Sequence, residues 1–218
     1  MKFIPISKPS ITKKEIVYVN NAVKSGWVSS LGEYIEKFES QFAKFCNVKK
    51  AITVSSGTTG LHLAMVAMGI GYGDEVIIPD LTFIATANAV RYTGASVVTV
   101  DIEEETLCIC PKAIRKAVNN KTKAIIAVHL NGYPANMQLI NEIAKEFNLY
   151  VIEDAAEAHG AKFQDKIVGS LGTVGVFSFY GNKIITTGEG GMITTNDVNL
   201  SEKIIYLRDH AMSKSKRY

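Results

Sequence analysis

An alternation constrains this chain more than any other feature: from residue 50 onward, short apolar runs are separated by longer stretches of helical period. The runs cover 51–54, 76–78, 97–100, 124–128 and 150–152. Between them lie helical patterns at 61–68, 84–91 and 113–118, and a longer one that sets Met137, Ile140, Ile143, Ala144 and Phe147 on one side. Strands that alternate with helices through short connections run mostly parallel, and the helices cover both faces of the sheet. The expected fold class is therefore α/β, a three-layer α/β/α arrangement around a mostly parallel central sheet. Two further strands, at 174–179 and 191–195, flank a Gly-rich turn and fit either a hairpin or an edge pair. A last helix is expected at 198–208.

Ahead of the alternation, Thr12 followed by Glu15 has the spacing of a capping box, and Gly26 is placed to end the helix it opens. In the next helix Ile35, Phe38, Phe42 and Phe45 recur every three or four residues, giving one apolar face. Both helices are expected to pack on the larger body. With no internal repeat, low-complexity segment or linker, residues 1–218 read as one unit.

Composition narrows the function classes. A chain of 218 residues with 47% hydrophobic content can bury one sizeable core. The formal charge of +3 comes from 24 basic and 21 acidic residues that are interspersed, so no single-signed surface is implied. The terminal cluster of Lys214, Lys216 and Arg217 lacks aromatic residues arranged for base stacking, and no nucleic-acid partner is expected. Cys46, Cys108 and Cys110 are odd in number and without Cys-x-x-Cys spacing, which argues against a disulfide framework and a zinc site. His62, His129, His159 and His210 have no metal-ligand spacing either. No apolar run is long enough for a signal peptide or a membrane span, so a cytoplasmic protein is expected.

In open α/β sheets ligands bind beyond the carboxyl ends of the strands, which directs attention to four segments. Ser55-Ser56-Gly57-Thr58-Thr59-Gly60 precedes an apolar helix; small residues there let N–H groups and hydroxyls approach a phosphate, although an ordinary Ser/Thr cap reads the same way. Phe83 follows the second strand and offers either a ring face to a planar ligand or a core side chain. Asp154 ends the fifth strand, where a carboxylate can hold a protonated pyridine nitrogen or cap a helix. Lys183 lies in a Gly-flanked loop after Ser178-Phe179-Tyr180, an apolar-sided setting that suits a Schiff-base amine. His129 and Asn131 are placed to line an entrance, and Arg208 either meets an anionic group or complements a helix end.

Taken together, Glu153-Asp154-Ala155-Ala156-Glu157, Ser178-Phe179-Tyr180-Gly181-Asn182-Lys183 and Gly188-Glu189-Gly190-Gly191 resemble the DegT/DnrJ/EryC1/StrS aminotransferases. The likeness runs from Gly26-Trp27-Val28-Ser29-Ser30 through Gly57-Thr58 and Gly73-Asp74-Glu75-Val76 to Leu207-Arg208-Asp209-His210. It implies the large domain of a fold-type-I transferase dependent on pyridoxal 5'-phosphate, with an N-terminal helical segment. The family's smaller C-terminal domain is expected to be absent from residues 1–218. Within the family the resemblance is to the perosamine-type branch, which moves an amino group from glutamate to the 4-keto carbon of a nucleotide-linked 4-keto-6-deoxy sugar. Such amino sugars serve surface polysaccharide such as the O-antigen of lipopolysaccharide. The alternative is a truncated, non-catalytic fragment that keeps the fold and binds the cofactor.

The same resemblance implies residue roles. Lys183 carries the cofactor and moves the proton; a sister branch that deoxygenates has histidine there. Asp154 pairs with the ring nitrogen, Glu157 lies near the 3'-oxygen where many relatives have Gln, and Phe83 stacks on the ring. Gly57, Thr58 and Ser178 hold the phosphate. Trp27, Ser29, Ser30, His129 and Arg208 are weaker candidates for the substrate side. Relatives are homodimers with sites at the subunit boundary, so a dimer is expected.

Overall fold

The computed structural model describes residues 4–5 and 7–212 of the chain, so the basic cluster Lys214, Lys216 and Arg217 lies outside the described residues. Two helices come first, α1 (Lys13–Ser25) and α2 (Glu33–Cys46). The alternating part follows as β1 (Lys50–Val54), α3 (Gly57–Ala67), β2 (Glu75–Pro79), α4 (Ile84–Tyr92), β3 (Ser96–Val100), α5 (Pro111–Ala117), β4 (Thr122–Val128), α6 (Met137–Phe147) and β5 (Tyr150–Asp154). A small hairpin, β6 (Lys162–Phe163) and β7 (Lys166–Ile167), precedes β8 (Val174–Ser178), β9 (Gly191–Thr195) and α7 (Val198–Arg208).

The main sheet has seven strands in the order β1-β9-β8-β5-β4-β2-β3. β3, β2, β4, β5 and β8 run parallel, as the alternation requires. β9 is neither at an edge nor in a simple hairpin: it lies between β1 and β8, antiparallel to both. Helix-covered strands should be apolar throughout, and every residue of β8 and β9 is buried.

Side chains alternate across the sheet. Val76, Ile126, Ile152, Val176 and Ile193 face one way and share a core with Leu61 and Met65 of α3, Val90 of α4 and Ile204 of α7. Ile77, Ile125 and Val151 face the other way, against Ile114 of α5 and Ile140 and Ile143 of α6. The rest of that second face is covered by α2, whose Phe42 meets Phe177 at 4.9 Å and Phe179 at 5.4 Å between ring centroids. The three layers thus follow from strand alternation, and each fully buried Ile contributes about 1.5–3 kcal/mol.

Three local differences from the sequence expectation have physical causes. α1 has the expected capping box at Thr12 and Glu15 and the left-handed Gly26, yet it buries no residue, whereas α2 docks through Phe38 and Phe42 with Phe45 left at the surface. α3 starts at Gly57, one turn before the apolar pattern, because Ser56 and Thr59 form a reciprocal cap and a polar first turn carries no apolar period. The β6–β7 turn holds Gln164 and Asp165 at φ 48° and 65°, a left-handed pair formed without the glycine that signals such turns. Among the described residues no helix is long and apolar enough to cross a membrane.

Candidate active site

The carboxyl ends of β4, β5 and β8, the start of α3 and the entry to α4 surround one cavity of about 430 Å³. Gly57, Thr58, Phe83, His129, Asp154, Glu157, Ser178 and Lys183 all line it. Residues separated by more than a hundred positions therefore meet because each follows a neighbouring strand.

One end of the cavity is the N-terminus of α3. Ser56 accepts a hydrogen bond from Thr59 N–H at 3.1 Å, so the cap is real, and it leaves Gly57 and Thr58 in the first turn facing the cavity. Phosphate seat and helix cap are thus not alternatives, since different residues serve each. The glycines here are steric necessities. A Cβ on Gly57 would sit 3.0 Å from Ser178 Cβ, and one on Gly191 would sit 2.5 Å from the Ser56 carbonyl. Close contact of β8 and β9 with the turn brings the Ser178 hydroxyl beside the helix start. Free N–H groups, two hydroxyls and the positive end of a helix dipole make an anion seat.

The middle of the cavity is set by Asp154. Its Oδ2 accepts from Thr86 Oγ1 at 2.8 Å and its Oδ1 from Ala156 N–H at 3.2 Å. Burial pushes its carboxyl above the ordinary range; the Thr86 hydroxyl, the Ala156 N–H and the positive charge of Lys183 pull the other way. Phe83 is 70% exposed on the opposite wall, so it is a cavity side chain and not core.

Lys183 lies in the loop between β8 and β9. Phe179 pins both ends of that loop: its N–H donates to Gly190 O at 2.9 Å, and its carbonyl accepts from Thr187 N–H at 3.0 Å and Thr186 Oγ1 at 2.9 Å. Lys183 Nζ donates to Glu157 Oε1 at 3.2 Å, and Glu157 Oε2 accepts from Asn131 N–H at 3.0 Å. The backbone of Asn131, at φ 53°, thus aims the carboxylate that holds the amine.

Other sequence candidates lie elsewhere. His129 reaches the cavity wall, but both ring nitrogens are committed: Nδ1 accepts from Ala135 N–H at 3.1 Å, and Nε2 stands 3.1 Å from Glu153 Oε2. Neither ring nitrogen is left to bond a ligand in the cavity. Trp27 and Ser29 line a separate hollow between α1 and α2, and neither they nor Ser30 reach the cavity. Arg208 is taken up by Glu39 Oε1 at 2.8 Å, Asp209 Oδ1 at 3.2 Å and the Thr53 carbonyl at 3.3 Å, tying α7 to α2 and β1. Among the described residues no cluster of His, Cys, Asp or Glu is placed to hold a metal ion.

Sequence reading missed Thr86, whose helical setting hid a polar partner 68 positions away. It also gave Glu153 no role, though that fully buried carboxylate accepts from Gly169, Leu171 and Gly172 N–H as well as facing His129.

An amine held by a carboxylate, a buried carboxyl in the wall and an anion seat at one end suit a flat ligand with an anionic arm. The chain is 50% identical over 218 residues to the GDP-perosamine synthase of Escherichia coli O157:H7, covering 100% of this chain and 60% of that protein. Among solved structures, the aminotransferase from Psychrobacter cryohalolentis superposes with a TM-score of 0.94 at 42% identity, covering 100% of this chain and 55% of that one. The E. coli GDP-4-keto-6-deoxy-D-mannose-3-dehydratase with bound hydrated PLP gives a TM-score of 0.92 at 32% identity, covering 99% and 57%. The chain thus spans about 60% of the length of the curated relatives it matches. A family model matches it across residues 9–218, and the chain belongs to the DegT/DnrJ/EryC1/StrS aminotransferase family.

Proposed function

We propose that this chain is the cofactor-binding part of an aminotransferase dependent on pyridoxal 5'-phosphate, which passes an amino group from glutamate to a nucleotide-linked 4-keto-6-deoxy sugar. The observation that carries the reading is the meeting of Lys183, Asp154 and the α3 N-terminus in one cavity. The 50% identity to a GDP-perosamine synthase supports the sugar class.

The residues fit the cofactor's parts. Gly57, Thr58 and Ser178 would hold its phosphate, Asp154 its ring nitrogen, Glu157 its 3'-oxygen side, and Phe83 would cover the ring face. When bound, the cofactor supplies an aldehyde for amine capture and a ring that draws electrons from the neighbouring carbon. When ionised, Asp154 would keep a proton on the ring nitrogen. Lys183 Nζ is the only amine among the described residues lining the cavity, and it would take up and return the proton at that carbon. Glu157 holds that amine at hydrogen-bond distance, and His129, with both ring nitrogens engaged elsewhere, does not compete for hydrogen bonds.

The reading extends to a cytoplasmic homodimer supplying surface-polysaccharide synthesis, with a further C-terminal domain completing the substrate side. Its test is amino transfer itself. Purified protein carrying that C-terminal domain, cofactor and glutamate are incubated with GDP-4-keto-6-deoxymannose, and the sugar product is weighed by mass spectrometry. A ketone-to-amine mass change that depends on glutamate supports the reading; sugar recovered unchanged, or deoxygenated, refutes it.

A further inference from the structure

We propose that Thr86, backed by Thr82, is a positioning residue for Asp154: two hydroxyls in series form a reversible hydrogen-bond chain that fixes the buried carboxyl and favours its ionised form. The part of this that concerns the cofactor rests on the reading of Asp154 as the partner of the ring nitrogen.

Thr86 stands in the first turn of α4 and is completely buried. A helical threonine ordinarily returns its hydroxyl to a carbonyl one turn back. Thr86 does not. Its Oγ1 donates to Asp154 Oδ2 at 2.8 Å and lies 2.9 Å from Thr82 Oγ1. Thr82 lines the cavity, whereas Thr86 lies behind the wall.

The direction of the chain follows from proton counting. An ionised carboxylate only accepts, so the single Thr86 proton goes to Asp154 and Thr86 must accept from Thr82. If Asp154 carries a proton on Oδ2, the chain reverses: Asp154 donates to Thr86, Thr86 to Thr82, and Thr82 to the Phe83 carbonyl, 3.4 Å from its Oγ1. Each polarity ends on an acceptor, so neither charge state strands a buried hydroxyl. The two states differ in quality, because the reversed chain ends on the longest of these contacts while the forward chain ends on a charge-assisted one.

Other groups facing Asp154 do less. Lys183 reaches it from the β8–β9 loop through charge alone, after the hydroxyl and the Ala156 N–H in strength, while His129 at the end of β4 accepts at Nδ1 from Ala135 N–H and so brings no positive charge. Glu157 and Glu189 line the same cavity, and neither makes a hydrogen bond to Asp154 among the described residues. The hydroxyl chain is therefore the main counterweight to burial.

The test labels aspartate carboxyls with ¹³C in the purified full chain freed of cofactor and finds Asp154 by difference from Asp154→Asn. Its titration is then compared in wild type, Thr86→Val, Thr86→Ser and Thr82→Val. Thr86→Val keeps the shape and removes the hydroxyl; its midpoint should rise by about one to two pH units. Thr86→Ser should stay with wild type, and Thr82→Val should rise by less than Thr86→Val. Retention of pyridoxal phosphate in dialysis should fall about ten-fold in Thr86→Val, the same loss expressed as affinity. An unmoved midpoint in Thr86→Val, or a Thr86→Ser midpoint that moves as far as the valine variant's, overturns the proposal. If Thr86→Val does not fold, an unmoved midpoint in Thr82→Val overturns it instead. A wild type that retains no cofactor would sink the aminotransferase reading and leave the titration result standing.

Discussion

Glu153 Oε2 lies 3.1 Å from His129 Nε2, with neither side chain exposed. The pair joins the ends of two neighbouring parallel strands behind the cavity. Because Ala135 N–H donates to His129 Nδ1, the proton on the ring belongs to Nε2 and points at Glu153.

The same carboxylate accepts from Gly169 and Leu171 N–H at 2.7 Å and Gly172 N–H at 2.6 Å, holding the segment that returns to β8. Glu153→Ala would leave these donors buried and unpaired. We expect a loss of about 3 to 5 kcal/mol in denaturant unfolding. A loss under about 1 kcal/mol would mean that water replaces the carboxylate.

His159 packs 5.3 Å from both Phe177 and Phe179, and neither ring nitrogen has a hydrogen-bond partner. Burial, joined by the charge of Lys183 and only partly offset by the nearby Ser178 main chain, lowers its pKa from 6.5 to about 4. Between those values the unfolded chain binds a proton that the folded chain does not, so stability falls as pH drops through that window. The loss from this group is about 3 kcal/mol at most. His159→Phe should flatten the wild-type fall between pH 7 and pH 4, read from urea midpoints; an equally steep fall in the variant contradicts the assignment.

Arg208 offers a contrast with the cavity residues. Arg208→Ala should cost about 1–3 kcal/mol through the lost bonds to Glu39 and Thr53. Cofactor capture should be unchanged when both proteins are compared well below their melting temperatures. A large loss of capture with little loss of stability would return Arg208 to the substrate side.

Much of this was legible in the chain because it is local. Strand runs of three to five residues between helical periods carry their own signal, and function gathers where parallel strands end, so Asp154 and Lys183 could be placed near one another before any coordinates. What was illegible depends on pairing at long range. Nothing near Gly191 says that β9 inserts between β1 and β8, and nothing near Thr86 says that its hydroxyl meets Asp154. Arg208 and the ring nitrogens of His129 read as available for the same reason: a polar side chain looks free until its partners are known. Trp27 and Ser29 open a hollow that a single chain keeps apart from the cavity.

Capture of the cofactor by Lys183 can be read by trapping. Wild type and Lys183→Ala are mixed with pyridoxal phosphate, followed by visible absorbance, reduced with borohydride and digested for mass spectrometry. A visible band is expected in wild type, absent from Lys183→Ala and bleached by glutamate, with the reduced adduct on the peptide that contains Lys183. An equal band in Lys183→Ala, or an adduct confined to another lysine, would contradict it.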